Sequence, residues 1–197
     1  MESVNLNTIQ HKLSVSDENA LAELYRYYYK KLVQFSKSIV RTNELAEEVV
    51  EDVFIKLWCN RVSIHEIQNL NVYLYIAVKN TSLNTLSQKA RQLISAPFDF
   101  LNIEFENELG KPDDLLITAE MMQRMQQAID ALPPRCKMIF KLIREDGLKY
   151  KEVAEILNIS VNTIDAQMAI AVKKICTSLQ IKKSLRNFSF SLSEKEF

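Results

Sequence analysis

The sequence predicts an all-α protein with two small helical domains joined by an acidic linker. The chain has 197 residues, of which 47% are apolar and 25% charged, the composition of an ordinary soluble globular protein. It holds only two glycines and four prolines, too few for the tight turns of a many-stranded β fold. Apolar residues recur instead at the spacing of one helix face, which predicts helices along most of the chain.

The first domain, residues 1–95, is predicted to be a helical bundle. Ser16 and Asp17 are good N-cap residues for a long amphipathic helix, whose apolar positions are Leu21, Leu24, Tyr25, Tyr28, Leu32, Phe35 and Ile39. A second helix runs from about Leu45 to Trp58, and its polar face is strongly acidic. A third helix begins near Asn71 and continues toward Lys89 and Arg91, where the charge turns basic.

Composition changes after this bundle. Residues 96–119 hold one basic and six acidic residues, together with Pro97, Gly110 and Pro112, and no helical stripe runs through them, so they predict a linker. Residues 120–181 predict four short helices: Pro133-Pro134 ends one helix and opens the next, and Gly147 fits a C-cap. Residues 182–197 lack a clear period and predict a loose tail.

Several function classes are excluded by composition. Two glycines 37 positions apart cannot form a Walker A loop or a dinucleotide fingerprint. Cys59, Cys136 and Cys176 form no CxxC pair, and HExxH and GxSxG motifs are absent. These absences predict reduced thiols, no metal site, no cofactor and no enzymatic activity. The longest apolar run, residues 72–78, is too short for a membrane span, so a cytoplasmic protein without membrane insertion is expected.

The segment from Lys149 to Ile175 has the pattern of a helix-turn-helix: a helix, a three-residue turn and a longer helix. One face of the second helix is predicted to be core and comprises Ile164, Met168, Ala171, Val172 and Ile175. The opposite face is predicted to meet DNA and comprises Asn162, Thr163, Ala166, Ile170 and Lys173. Lysines and the helix N-terminus capped by Ser160 suit phosphate groups. The alternative is a plain pair of packed helices.

Two segments of the first domain also admit two interpretations. The acidic helix face is either a solvated surface or a docking site for a basic partner helix. The aromatic, amide and basic residues of the third helix suit single-stranded DNA, but aromatic residues at helical spacing are more often core. We therefore expect at least one of Tyr73 and Tyr75 to be buried.

Taken in order, these segments resemble the RNA polymerase sigma factors of the extracytoplasmic-function group. AEEVVEDVFIKLW at 46–58 resembles the family's core-polymerase-binding helix, and NLNVYLYIAVKNTSLNTL at 69–86 its DNA-melting and minus-10 segment. ALPPRCKMIFKLIREDGLKYKEVAEILNISVNTI, which starts at Ala131, resembles the minus-35 domain. The resemblance implies a sigma factor that binds core RNA polymerase and directs promoter-specific transcription initiation.

The resemblance also implies roles for individual residues. Docking on the clamp helices of the largest polymerase subunit falls to Glu47, Glu48, Glu51, Asp52, Phe54 and Trp58, with Val50 as further apolar support. Contact with the minus-10 element falls to Tyr73, Lys79, Asn80, Asn84, Lys89 and Arg91, with the loop at 63–70 and Asn80 holding a flipped-out base. Contact with the minus-35 element falls to Lys149, Lys151, Ser160, Asn162, Thr163, Ala166, Gln167, Ile170, Lys173 and Lys174.

Further partners follow from the same resemblance. The second domain is expected on the flap of the second-largest polymerase subunit, and a membrane-associated anti-sigma factor is an expected regulator. The acidic linker is expected to lie in a basic polymerase channel, or else to be a simple tether. Because Ala166 and Ile170 place apolar groups on the reading face, weak binding to free promoter DNA is expected. The alternative functions are a helix-turn-helix regulator that is not a polymerase subunit, and a helical adaptor without DNA contact.

Overall fold

The structure, a computed structural model, describes residues 6–92 and 116–179. Within these ranges all regular secondary structure is helical and no strand is present, which confirms the all-α prediction. The elements are α1 (Leu6–Ser14), α2 (Glu18–Val40), α3 (Asn43–Cys59), a 3₁₀ segment (Arg61–Glu66), α4 (Leu70–Gln92), α5 (Leu116–Asp130), α6 (Pro134–Arg144), α7 (Tyr150–Leu157) and α8 (Val161–Ser178). The tail at 182–197 and the linker up to residue 115 lie outside the described residues.

Helices α2, α3 and α4 form the bundle predicted for the first domain. The Asp17 carboxylate accepts a hydrogen bond from the Asn19 amide at 2.9 Å and so caps α2. Along α2 the predicted positions Leu24, Tyr28, Leu32 and Phe35 are buried. The spacing therefore identified the core face of this helix correctly.

A polar pair lies inside this bundle. The hydroxyl groups of Ser36 on α2 and Ser82 on α4 are 2.9 Å apart and fully buried, and each is satisfied by the other. Beside them the rings of Phe35 and Tyr75 pack edge to face with centroids 5.3 Å apart. These contacts fix the rotation of α4 against α2, and with it the direction in which the polar residues of α4 point.

The second half is held by its own small core. Ala128, Ile129 and Leu132 of α5 pack with Cys136 of α6 and with Ala171 and Ile175 of α8. At the turn between α5 and α6, the Lys137 ammonium is almost completely buried and pairs with the Asp130 carboxylate at 2.6 Å. This ion pair joins the two helices on either side of Pro133-Pro134.

The two halves also pack on each other. Leu148, Val153 and Ile156 belong to the same apolar cluster as Leu74 and Val78 of α4, and α4 lies directly against α7. The predicted domains are therefore in contact in this structure.

Several details differ from the sequence predictions. Helix α1 and the 3₁₀ segment were not predicted, because both are short and depend on contacts with distant residues. Helix α5 begins at Leu116, inside the stretch predicted as linker, and α6 ends at Arg144, before Gly147. Gly147 has the left-handed φ of 78° that favours glycine. Val172, predicted as core, is 43% exposed, since it lies at the edge of the buried stripe of α8.

Candidate polymerase and nucleic-acid interfaces

The acidic surface on α3 comprises Glu47, Glu48, Glu51 and Asp52, all of which are exposed. The Thr42 hydroxyl caps the helix, and Val49, Val53 and Leu57 anchor the opposite side in the core. Because four carboxylates project from a helix that is fixed along its buried side, they form a rigid negatively charged surface. Its chemistry fits a partner helix rich in arginine.

Two predicted apolar members of this surface are placed differently from each other. Trp58 is half-buried, with the Arg61 guanidinium 4.6 Å from the ring centroid. Phe54 is only 5% exposed and packs against Tyr25 with ring centroids 4.9 Å apart, and Val50 is also buried. Neither Phe54 nor Val50 is presented to a partner, since both side chains build the core of the bundle.

One apolar residue of α3 that was not predicted for this surface is exposed beside it. Ile55 follows Glu51 by one turn and is 60% exposed, so it offers an apolar contact next to the carboxylates. Its position outside the Val49, Val53 and Leu57 stripe was the available signal. Tyr25 lies behind the same surface, where burial, aided by Tyr29 and the charges of Glu51 and Glu47, raises its pKa to about 12.

The candidate minus-10 surface combines the 3₁₀ segment with α4. An open cleft of about 440 Å³ lies between them and is lined by Leu57, Asn60, Ser63, Ile64, Glu66, Ile67 and Tyr73. This size falls within the range of roughly 300–1,000 Å³ of small-molecule sites. Its mixture of an aromatic ring, an amide and a hydroxyl can stack on and hydrogen-bond to a planar base.

The aromatic and amide residues of α4 lie partly on its exposed face and partly in the core. Tyr73, Asn80 and Asn84 share one face by helical spacing, and the two asparagines are exposed. Tyr75 is 1% exposed, which confirms that at least one of the two tyrosines is core. Lys89 and Arg91 lie in the last turns of α4, but their side chains are outside the described part of the chain.

Lys79 is turned away from the asparagine face. Its ammonium group donates a hydrogen bond to the carbonyl of Ile156 at the end of α7, at 2.7 Å. Asn69, just before α4, donates to the Glu152 carboxylate at 2.8 Å. In this structure the predicted minus-10 lysine therefore joins the two halves of the molecule.

The helix-turn-helix pattern is present as α7, the turn at 158–160 and α8. Asn158 takes the left-handed conformation with φ 54°, which asparagine tolerates better than most residues. The Ser160 hydroxyl accepts from the Thr163 amide at 3.1 Å and caps α8, as predicted. The buried stripe of α8 comprises Ile164, Met168, Ala171 and Ile175.

The predicted reading face is largely free of intramolecular contacts with the core. Exposed side chains are those of Lys149, Lys151, Asn162, Ala166, Ile170, Lys173 and Lys174. Thr163 is half-buried beside the Ser160 hydroxyl, 2.8 Å away. Gln167 is also half-buried, and its carbonyl accepts a hydrogen bond from the Cys136 thiol at 2.8 Å, so it is partly engaged by α6.

Other site chemistries have no support among the described residues. Within residues 6–92 and 116–179, no group of three or more histidine, cysteine, aspartate or glutamate side chains is arranged to hold a metal ion. Among the described helices, none is both long and apolar enough to cross a membrane. The three cysteines are free thiols.

Comparison with known proteins assigns a family to both halves. The model of Sigma-70 region 2 matches residues 24–92, and that of Sigma-70, region 4 matches residues 122–175. The ECF RNA polymerase sigma-E factor of Escherichia coli (strain K12) is 25% identical over 185 residues, covering 91% of this chain and 96% of that protein. The ECF RNA polymerase sigma factor SigW of Bacillus subtilis (strain 168) is 24% identical over 164 residues, covering 77% and 84%.

Two solved structures share the fold. The sigma factor RpoE, in complex with the anti-sigma factor NepR from Bartonella quintana, superposes with a TM-score of 0.55 at 19% identity, covering 82% of this chain and 98% of that one. CnrH, in complex with the cytosolic domain of CnrY, superposes with a TM-score of 0.54 at 14% identity, covering 89% and 97%.

Proposed function

Because the chain belongs to the extracytoplasmic-function group of the sigma-70 family, whose members direct RNA polymerase to promoters, we propose a division of that work among three of its surfaces. The acidic surface of α3 binds core polymerase, the cleft beside α4 reads the minus-10 element, and α8 reads the minus-35 element. A helix-turn-helix regulator outside polymerase is not favoured, since region 2 of the family matches residues 24–92.

Core binding rests on the charge of α3. Glu47, Glu48, Glu51 and Asp52 are exposed on one rigid helix, and they pair with basic side chains on the clamp helices of the largest subunit. Ile55, exposed one turn from Glu51, supplies an apolar contact beside the carboxylates. Apolar contacts combined with complementary charges are typical of specific interfaces.

Minus-10 recognition rests on the cleft between the 3₁₀ segment and α4. A base flipped out of the non-template strand enters beside Tyr73, while Asn80 and Asn84 continue the exposed polar surface along α4. Stacking and hydrogen bonds to the base edge offset the cost of unstacking. Within this surface the exposed Asn80 side chain hydrogen-bonds to a base.

Minus-35 recognition rests on the N-terminal part of α8 in the major groove. Asn162 and Thr163 are the hydrogen-bonding groups there, Ala166 and Ile170 contact thymine methyl groups, and the exposed lysines pair with phosphates. With two apolar residues on the reading face, free DNA is bound weakly. Affinity rises when core polymerase holds the second domain through its flap.

Regulation and location complete the proposal. Both structural neighbours were solved with a partner, one of them an anti-sigma factor, and we propose an anti-sigma factor for this chain as well, associated with the membrane. The factor acts in the cytoplasm, it needs no cofactor, and its acidic linker follows the basic channel of polymerase.

The single observation that carries the proposal is the exposed acidic surface on α3 within a region 2 domain. Run-off transcription from genomic fragments with purified core polymerase tests it. Glu48→Lys/Asp52→Lys should abolish both transcripts and association with core, whereas Glu18→Lys/Glu23→Lys, the same charge change on exposed positions of α2, should retain both. Asn80→Ala should reduce transcripts while association with core persists, and Asn7→Ala on exposed α1 should not. Unchanged association for the α3 variant would overturn the docking site.

A further inference from the structure

Helix α1 precedes the part of the chain that matches region 2, which begins at residue 24. Its apolar residues Ile9 and Leu13 are buried, and α1 packs mainly on the 3₁₀ segment. Between them, the Gln10 amide nitrogen donates to the carbonyl of Ile64 at 2.6 Å and to the carbonyl of Ile67 at 2.7 Å. One side chain thus spans two carbonyls of a loop more than 50 residues away.

The two residues that carry these carbonyls, Ile64 and Ile67, line the cleft between the 3₁₀ segment and α4. The Ile67 amide closes the 3₁₀ turn on the Ile64 carbonyl at 3.1 Å, so the Gln10 amide group fixes the spacing of the two carbonyls at the end of that turn. Ile67 follows the last residue of the 3₁₀ segment, so the hydrogen bond from Gln10 to its carbonyl ties the end of the turn to α1. A loop held by two outside hydrogen bonds is less free to change shape than a loop held by its own backbone alone.

We propose that Gln10 is a positioning residue for minus-10 recognition, acting through the carbonyls of Ile64 and Ile67 to hold the cleft in the shape that discriminates between bases. This inference rests on the proposed function of the cleft. Gln10 itself touches no base; it fixes the wall against which the base is placed.

The test exchanges donors for acceptors without changing size. Gln10→Glu replaces the amide nitrogen by a carboxylate oxygen, which repels both carbonyls. Asn7→Asp, an amide-to-carboxylate exchange at an exposed position one turn earlier on α1, is the matched control. Each variant with core polymerase transcribes a library of one promoter randomised in its minus-10 element, and transcript sequencing gives the discrimination between bases at each position.

We expect Gln10→Glu to lower base discrimination about tenfold at one or two positions, the effect of losing one to two hydrogen bonds, while association with core is retained and circular dichroism shows a folded protein. Gln10→Ala should give a smaller change in the same direction. If overall transcription falls equally for all minus-10 sequences, or if Gln10→Glu matches Asn7→Asp, Gln10 has no positioning role. Absence of promoter-specific transcripts with the wild-type protein would instead refute the proposed function.

Discussion

Replacing Asp146 with asparagine should stabilise the protein at neutral pH and stabilise it by a smaller amount in mild acid. Asp146 lies in the turn between α6 and α7, facing α2 and α4. Burial raises the pKa of its carboxyl from 3.8 to about 6, although Tyr75 and Lys31 act in the opposite direction, with smaller effects from Glu145 and Lys141. The folded state therefore holds this proton more tightly than the unfolded chain does.

The sign and magnitude follow from proton linkage. Since the folded protein binds more protons between pH 3.8 and about 6, stability falls as pH rises through this window and stays lower above it. The full penalty at pH 8 is about 3 kcal/mol, at about 1.4 kcal/mol for each unit of pKa. About 1.4 kcal/mol of it develops between pH 5 and pH 8.

Urea unfolding at pH 5 and pH 8 measures the effect. The free energy of unfolding of Asp146→Asn minus that of the wild type should be positive at both pH values and larger at pH 8 by about 1.4 kcal/mol. Asp52→Asn, the same exchange on the exposed side of α3, should stay within about 0.5 kcal/mol of wild type at both. A difference for Asp146→Asn that is equal at the two pH values, or smaller at pH 8, would refute the reasoning.

Three further predictions concern packing, pairing and capping. Asp130→Asn should destabilise the protein by about 3 kcal/mol, because it removes the carboxylate that pairs with the buried Lys137, whereas Lys137→Met should destabilise it less. Equal unfolding midpoints in urea for these two variants would contradict this. Leu74→Ala should cost about 3 kcal/mol in the same assay, because Leu74 is fully buried in the cluster shared by both halves, and a loss below about 1 kcal/mol would show that the site collapses. Ser160→Ala should lower the free energy of unfolding by about 1 kcal/mol, because α8 loses its cap. Ser160→Asp should keep the cap but weaken binding to minus-35 DNA, measured in a salt titration. Equal DNA binding by Ser160→Asp and wild type would place the α8 N-terminus away from phosphate.

Sequence periodicity was sufficient for the long helices. The stripes of α2, α3 and α8 could be identified because each helix buries one face, and an amphipathic helix carries that requirement in its spacing. The caps Asp17 and Ser160 and the breaker Pro133-Pro134 marked helix ends for local reasons that need no tertiary contact. The exposed acidic surface of α3 followed from the same spacing.

Tertiary structure decided which members of these stripes remain available to a partner. Helical spacing favoured neither Tyr73 nor Tyr75 as the buried ring, and it could not show that Phe54 packs on Tyr25 while Ile55 remains exposed. These outcomes depend on which helices pack on each side of α3 and α4. A local pattern does not contain that information.

Local sequence patterns could not predict the short elements or the contact between the two halves, because both depend on residues distant in the chain. Helix α1 and the 3₁₀ segment are too short to be stable alone, and they hold each other through Gln10 and its two carbonyl acceptors. From the sequence, Lys79 is a basic residue next to Asn80 and is predicted to contact DNA. In the structure its ammonium group donates to the backbone carbonyl of Ile156, 77 residues away. The sequence by itself determined the helices and their charged faces; only the tertiary structure decided what those faces meet, because that depends on residues distant in the chain.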